Sequence, residues 1–124
     1  MGKILVIDDE ESIRELLDIL LRRKGYDVVL AANGQKGLEA FRRERPDVVV
    51  LDLKMPGMNG LAVLQELHRL HSTQPVIILT GAGTPEIEQQ ALALGVTEFV
   101  EKEFSLHRLG DALKRLLATP MKAV

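Results

Sequence analysis

The sequence contains no cysteine, carries little net charge and has no long apolar segment. Without cysteine, the chain can form neither a disulfide framework nor a thiolate metal site. A formal net charge of −2 argues against direct nucleic-acid binding by this domain. No apolar run approaches the length of a membrane span, and the N-terminal Met-Gly-Lys-Ile does not have the architecture of a signal peptide. These absences predict a soluble, cytoplasmic protein without a membrane segment.

The size and composition of the chain are typical of a globular domain. It has 124 residues, of which 46% are hydrophobic and 27% are charged. This length fits one domain with a real core, and the balance of apolar and charged residues favours a folded over a disordered chain. We expect a single domain over residues 1–118, followed by a short C-terminal tail, residues 119–124, without clear structure.

Short apolar runs alternate with amphipathic segments along the whole chain. Five runs have the character of strands, near residues 3–7, 28–30, 48–51, 75–80 and 98–101, and the segments between and after them have the apolar spacing of helices. Strands separated by helices run parallel through right-handed crossovers. The first, third and fourth runs are the most apolar and should lie centrally. The sequence therefore predicts an α/β fold, a doubly wound, flavodoxin-like (βα)5 domain whose five-stranded parallel sheet has the strand order 2-1-3-4-5.

The predicted strands lead into residues that carry chemistry. Asp8 and Asp9 follow the first strand, Asp52 follows the third, Thr80 ends the fourth and Lys102 follows the fifth. A parallel sheet brings the carboxyl ends of its strands to one edge, and ligands of doubly wound folds bind there, at the switch point between the first and third strands. We therefore expect three carboxylates, one hydroxyl and one ammonium group to converge at this edge.

The predicted cluster of carboxylates calls for a cation. Three carboxylates in one cleft repel one another, and Lys102 offsets only one negative charge. Oxygen ligands without histidine or cysteine favour Mg²⁺, Mn²⁺ or Ca²⁺ over zinc, and a site with few carboxylates suits Mg²⁺, which keeps several of its waters. The acidic loop after the first strand would repel a bare phosphate, which argues against a flavin or nucleotide site.

A carboxylate in such a site can act as a nucleophile toward phosphorus and form an aspartyl phosphate. Asp52 is the best candidate, because it follows the most rigid strand. Mg²⁺ and Lys102 would stabilise the phosphoryl oxygens, and the Thr80 hydroxyl could donate a hydrogen bond to another of them. Each residue alone has an ordinary explanation, and Asp8 or Asp9 is also expected to cap the first helix. Their joint placement at the strand ends favours a functional site.

The chain resembles the receiver domain of two-component response regulators over residues 3–117. The resemblance rests on the pair Asp8-Asp9, the stretch DLKMPGMNG at residues 52–60, Thr80 and Lys102, which all fall in register. It implies that Asp52 accepts a phosphoryl group from a histidine kinase, a histidine phosphotransfer protein or a small acyl phosphate. It also implies that Mg²⁺ is bound by Asp8, Asp9, Asp52 and the backbone carbonyl of Lys54.

The same resemblance implies a switch and an output surface. Lys102 would contact the phosphoryl group, Thr80 would move toward it, and Phe99 would change its rotamer together with Thr80. The face formed by the fourth helix, fifth strand and fifth helix, about residues 84–117, would act on a downstream protein or output domain. We also expect phosphorylation-dependent homodimers through this face. The domain would catalyse only its own phosphotransfer and a slow autodephosphorylation.

Three positions bear on how closely the chain follows the family pattern. Glu103 stands where the family has a proline with a cis peptide bond. A non-proline cis bond costs about 2.5–4 kcal/mol, so a trans and a strained cis Lys102–Glu103 bond both stay open. Lys54 and Ala82, two residues after Asp52 and Thr80, cannot orient a water as an acid or amide could, which predicts slow self-dephosphorylation.

Two other interpretations stay open at this point. One is a degenerate receiver that acts as a phosphorylation-independent interaction module, because Glu103 disturbs the position of Lys102. The other is a flavodoxin-like cofactor binder, which the acidic first loop opposes. A hydrolase using the paired carboxylates would have little room for a substrate pocket in a chain of this size.

His68 and His71 lie three residues apart on the third helix, and we expect them on its solvated face rather than on a metal.

Overall fold

A computed structural model of the chain describes residues 2–53, 59–80, 85–96, 98–101 and 105–122. Over these residues, strands and helices alternate as the sequence predicted. The strands are β1 (Lys3–Ile7), β2 (Asp27–Ala31), β3 (Val48–Leu51), β4 (Val76–Thr80) and β5 (Glu98–Glu101). The helices are α1 (Glu11–Arg23), α2 (Gly34–Glu44), α3 (Gly60–Leu70), α4 (Pro85–Ala93) and α5 (Ser105–Lys122).

The strands form one parallel sheet in the order β2-β1-β3-β4-β5, which confirms the predicted topology. β1 lies between β2 and β3, and Ile7 pairs with Leu51 where β1 and β3 end. All residues of β3 and β4 are buried, as are all but the first residue of β1. Their uninterrupted apolar runs are explained by the helices that cover both faces of the sheet.

Two clusters of buried side chains form the core, one on each face of the sheet. Alternate strand residues point to opposite faces, so Ile7 and Leu51 pack with α2, α3 and α4, whereas Val6 and Val50 pack with α1 and α5. The helices thus hold the carboxyl ends of β1 and β3 from both sides. This arrangement fixes the backbone from which the residues after β1 and β3 project.

The helix ends confirm one predicted cap and correct another. Asn33 caps α2, where its side chain accepts a hydrogen bond of 2.8 Å from the Lys36 amide. The expectation that Asp8 or Asp9 caps α1 is wrong. The N-cap residue of α1 is Glu10, and it makes no side-chain cap hydrogen bond. The Asp8 carboxylate accepts instead from the amide of Glu10, one residue before the helix proper.

The last helix is longer than the sequence analysis predicted. α5 runs to Lys122, so the expectation of a tail without clear structure is wrong for residues 119–122. The apolar spacing of Leu113, Leu117 and Met121 continues past residue 118, in agreement with a longer helix. The domain limits of residues 1–118 stay a prediction. No helix in the described part of the chain is long and apolar enough to cross a membrane.

The third helix carries a further correction. His71 is exposed, as expected, but His68 is half-buried, and both of its ring nitrogens lie near backbone carbonyl oxygens. The prediction of a solvated face is therefore wrong for His68. Apolar spacing along α3 did not reveal this contact, because the partners of the ring come from segments before β4 and after α4.

Candidate functional site

Asp8 and Asp52 lie at the carboxyl edge of the sheet, where β1 and β3 end side by side. The amide of Asp52 donates a hydrogen bond of 2.9 Å to the carbonyl of Ile7, so the parallel pairing continues to the carboxylate-bearing residue. The amide of Asp8 donates to the carbonyl of Ala31 on β2 at 3.1 Å. Both side chains are buried, with 2% of Asp8 and 3% of Asp52 exposed. The sheet therefore positions both residues at the predicted switch point.

Three carboxylates converge at this edge. Oxygen atoms of Asp8, Glu10 and Asp52 lie within 4.8 Å of one another. Asp8 and Asp52 are the acids expected from the sequence, whereas Glu10 was not assigned to the site. The turn in which the Asp8 carboxylate accepts from the Glu10 amide, at 2.9 Å, keeps Glu10 beside the edge of the sheet. The signal for Glu10 was the acidic run that continues from residue 8 to residue 11.

Asp9 occupies a different position in the same loop. Its side chain is half-buried, and its carboxylate is not among the three that meet within the described part of the chain. The proposed role of Asp9 as a metal ligand stays a prediction from the resemblance. Glu10, which is exposed, is the acid that the structure adds beside Asp8 and Asp52.

Thr80 and Phe99 lie on the neighbouring strands β4 and β5, where Phe99 pairs with Ile78, two residues before Thr80. Thr80 ends β4 and is 1% exposed. Side-chain alternation places it on the face of Ile78, which packs with α2, α3 and α4. Phe99 on β5 is half-buried and packs against that same cluster. The two residues assigned to the switch therefore share one face of the sheet.

Four of the predicted positions lie outside the described residues. They are Lys54, Ala82, Lys102 and Glu103. The metal contact of the Lys54 carbonyl, the phosphoryl contact of Lys102 and the form of the Lys102–Glu103 peptide bond therefore stay predictions.

The start of α3 lies against Leu53, the residue that follows Asp52. The amide of Gly60 donates to the carbonyl of Leu53, directly after Asp52, at 3.2 Å. A Cβ atom at residue 60 would clash with the Leu53 Cα and lie 2.7 Å from its carbonyl oxygen. Only glycine permits this close approach, and the side chain of Asn59 caps the helix by accepting from the amide of Leu61 at 2.8 Å.

The ligand chemistry of the edge fits a hard divalent cation. Its three carboxylates supply only oxygen atoms, and two of them are almost fully buried. Oxygen donors are the ligands of Mg²⁺ and Ca²⁺, and mutual repulsion of three nearby carboxylates is relieved by a cation. A shell of few protein ligands leaves places for water and phosphate oxygens, which suits Mg²⁺.

A comparison with protein families identifies the chain. The profile of the response regulator receiver domain matches residues 4–114. The chain belongs to this family. The matched range includes both buried aspartates of the edge, Thr80 and Phe99. The chain is thus a receiver domain of two-component response regulators, and its acidic edge agrees with a phosphorylation-dependent switch.

Known proteins are similar to this chain over almost its entire length. The sporulation initiation phosphotransferase F of Bacillus subtilis (strain 168) is 37% identical over 121 residues, which cover 98% of this chain and 96% of that protein. A probable transcriptional regulator ycf27 of Porphyridium aerugineum is 44% identical over 98% of this chain but only 50% of its own length. The solved structure of the chemotaxis protein CheY4 of Vibrio cholerae gives a TM-score of 0.87 at 32% identity, covering 94% of this chain and 98% of that one.

The lengths of these relatives differ. This receiver domain spans about half the length of the ycf27 regulators that it matches, but nearly all of the phosphotransferase. The similarity therefore shows the family and the fold of this domain. It does not extend to the remaining half of the longer regulators.

Proposed function

We propose that this receiver domain accepts a phosphoryl group on Asp52 from the phosphohistidine of a histidine kinase or a histidine phosphotransfer protein. The observation that carries the proposal is the position of Asp52: it is 3% exposed at the end of β3, with its carboxylate within 4.8 Å of those of Asp8 and Glu10. A carboxylate held at a strand end beside other acids is placed to attack phosphorus while a cation bound by these acids stabilises the phosphoryl oxygens.

The transfer exchanges one bond to phosphorus for another. An oxygen of the Asp52 carboxylate attacks the phosphorus atom, an O–P bond forms and the N–P bond of the donor breaks. The donor histidine nitrogen keeps the electron pair of that bond and takes a proton. When bound, Mg²⁺ would offset the negative charge of the phosphoryl oxygens. The hydrogen bond from the Asp52 amide to Ile7 holds the nucleophile in place during this exchange.

The proposed ligands of Mg²⁺ have two sources. Asp8 and Asp52 are supported by their observed convergence, and Glu10 lies with them. Asp9 and the backbone carbonyl of Lys54 are proposed from the family resemblance. Lys102 is proposed, on the same ground, to contact the phosphoryl group.

The proposed output is a rearrangement of the α4-β5-α5 face. Thr80 would move toward the phosphoryl group, and Phe99 would change rotamer with it, because both residues share one face of the sheet. The changed face would act on a downstream protein, on an output domain or on a second copy of the chain. Some relatives are named transcriptional regulators and are twice as long, which supports an output domain as one form of partner. The cytoplasm is the proposed place of action.

The proposed catalysis is limited to the domain's own phosphoryl group. It would catalyse its own phosphorylation and a slow loss of the label, since Lys54 and Ala82 offer no acid or amide to orient a water. We propose no reaction on another substrate.

Intact-mass spectrometry after incubation with acetyl phosphate and Mg²⁺ tests the proposal. We expect the mass gain of one phosphoryl group on the wild type and on Asp27→Asn, an exposed aspartate at the start of β2. We expect no gain on Asp52→Asn. The wild type is also incubated with Mn²⁺ in place of Mg²⁺ and with a phosphorylated histidine donor. If it gains no phosphoryl group under any of these conditions, the proposal is contradicted and the phosphorylation-independent interaction module is favoured.

A further inference from the structure

Arg14 contacts the acidic loop twice, although its own position is on α1. Its Nη1 atom donates a hydrogen bond of 2.8 Å to the backbone carbonyl of Asp8. Its amide donates to the carbonyl of Glu10 at 3.0 Å. The two bonds span the tripeptide Asp8-Asp9-Glu10. The amide bond is the first backbone bond of α1 and would form with any residue but proline at this position, so the bond to the Asp8 carbonyl is what the arginine side chain adds.

The bond to the Asp8 carbonyl completes the fixation of that residue. The Asp8 amide donates to Ala31, and the Asp8 carboxylate accepts from the amide of Glu10. With the carbonyl held by Arg14, each hydrogen-bonding group of Asp8 has a defined direction. Because the peptide unit is planar, a fixed Asp8 carbonyl also orients the amide of Asp9 and the path of the chain toward Glu10.

Arg14 could act on a bound cation in two opposite ways. Its positive charge repels a cation at the carboxylates, so loss of that charge would tighten binding. Its hydrogen bond orients the loop, so loss of the bond would weaken binding. Arg14 is half-buried, and its guanidinium donates to a backbone carbonyl rather than to a carboxylate. Solvent screening weakens the charge effect, whereas groups that orient metal ligands contribute about tenfold or more to affinity.

We propose that Arg14 is a positioning residue of the divalent-cation site. It acts through the Asp8 carbonyl and keeps the carboxylates of Asp8 and Glu10 beside that of Asp52. The inference rests on the proposed function, because it takes the acidic edge as the Mg²⁺ site. It assigns a role to a helix residue that contributes no ligand atom.

Arg22 offers a matched control on the same helix. Its Nη2 atom also donates to a backbone carbonyl, that of Val28, at 2.8 Å, and its Nε atom donates to Asp18. The Val28 carbonyl belongs to β2 and not to the acidic loop. Arg22→Gln therefore removes one charge and one bond to the backbone, as Arg14→Gln does, but leaves the loop after β1 unchanged.

The test measures Mg²⁺ affinity without a phosphodonor, by isothermal titration calorimetry of the full chain with MgCl₂. We expect Arg14→Gln to bind Mg²⁺ about tenfold more weakly than the wild type. Arg14→Lys keeps the charge and one donor nitrogen, so its Mg²⁺ affinity should lie between those of Arg14→Gln and the wild type. The affinity of Arg22→Gln should match that of the wild type. The rise in melting temperature with Mg²⁺ is the second measurement, since general destabilisation lowers all melting temperatures but preserves the Mg²⁺-dependent increment.

The outcomes separate this inference from the proposed function. A reduced increment and a weaker affinity in Arg14→Gln, with recovery in Arg14→Lys, support the positioning role. Wild-type affinity in a folded Arg14→Gln, or a tighter one, overturns it and leaves the Mg²⁺ site standing. If Arg14→Gln does not fold, an unchanged affinity in a folded Arg14→Thr, which also cannot reach the Asp8 carbonyl, has the same meaning. A wild type that binds no Mg²⁺ overturns both the site and the role of Arg14.

Discussion

The Nδ1 atom of His68 lies 2.6 Å from the carbonyl oxygen of Leu94, and its Nε2 atom lies 3.1 Å from that of Gln74. Carbonyl oxygens only accept hydrogen bonds, so whichever ring nitrogen carries a proton donates one, and a doubly protonated ring donates both. Gly95, with φ of +92°, follows Leu94 and passes close to the ring. One side chain of α3 thus connects the segment before β4 with the segment after α4.

Replacement of His68 by phenylalanine should destabilise the domain. The ring shape is kept, but part-buried carbonyls lose their partner, which costs about 1–3 kcal/mol of the free energy of unfolding. His71→Phe, an exposed position nearby, should change that free energy by no more than about 0.5 kcal/mol. Urea denaturation at constant pH measures both. Equal midpoints for the two variants would contradict the connecting role of His68.

The ion pairs of Glu66 predict a specific pH dependence. Hydrogen bonds from Arg69 hold the pKa of the Glu66 carboxyl below its ordinary value, and the charges of Arg69 and Arg42 add to this effect, while partial burial opposes it. A lowered pKa in the folded state stabilises the fold above the ordinary glutamate pKa, and the contribution is lost as pH falls through the folded-state value.

Glu66→Gln should therefore lower the urea midpoint at neutral pH. The difference from the wild type should shrink as pH falls through the carboxylate range, and it should also shrink in high salt. Glu39→Gln, at an exposed position on α2, is the control and should show a smaller difference at neutral pH. If the difference between wild type and variant grows as pH falls, the Glu66 pKa is not lowered in the folded state.

The close approach of Gly60 and Leu53 predicts that alanine is not tolerated at residue 60. Alanine normally favours a helix over glycine by about 1 kcal/mol, but here the added Cβ would meet backbone atoms. We expect a loss of about 1–3 kcal/mol in the free energy of unfolding, because the start of α3 must move away from the residue after Asp52. Phosphorylation by acetyl phosphate should slow in the same variant.

Gly110 on α5 is the matched control for that substitution. Among the residues that the structure describes, a Cβ atom there would meet only the flexible end of Lys24, 3.7 Å away. Gly110→Ala should therefore stabilise the domain by about 0.5–1 kcal/mol and leave phosphorylation unchanged. Stabilisation of Gly60→Ala to the same degree would show that the Leu53 contact relaxes without cost.

Much of the fold follows from apolar patterning. The runs before Asp8 and Asp52 are long enough to define buried strands, and the parallel order then places both aspartates on one edge. The contributions of Glu10, Arg14 and His68 did not follow from the sequence. Glu10 depends on the turn made by the loop, and the partners of the other two side chains depend on the course of neighbouring loops. Helical periodicity tells which side faces the core, but not which carbonyl a long polar side chain reaches.

Thr80→Val should separate acceptance of the phosphoryl group from the response to it. The substitution keeps the shape of a buried residue and removes the hydroxyl proposed to contact the phosphoryl group. We expect mass spectrometry to show phosphorylation of Asp52, while NMR shows a reduced change in the Phe99 ring signals. Thr73→Val, at an exposed position before β4, should respond as the wild type does. A full Phe99 response in Thr80→Val would exclude the coupling.

The position of β1 between β2 and β3 has a consequence for the synthesis of the chain. β2 pairs on one side of β1 and β3 on the other, so residues 3–51 contain three neighbouring strands that can assemble before the rest emerges. β4 then adds to β3, and β5 to β4. None of the described strands has to insert between two that are already paired. The sheet therefore grows outward in the order in which the ribosome delivers it, and after β3 each new strand adds to the strand made just before it.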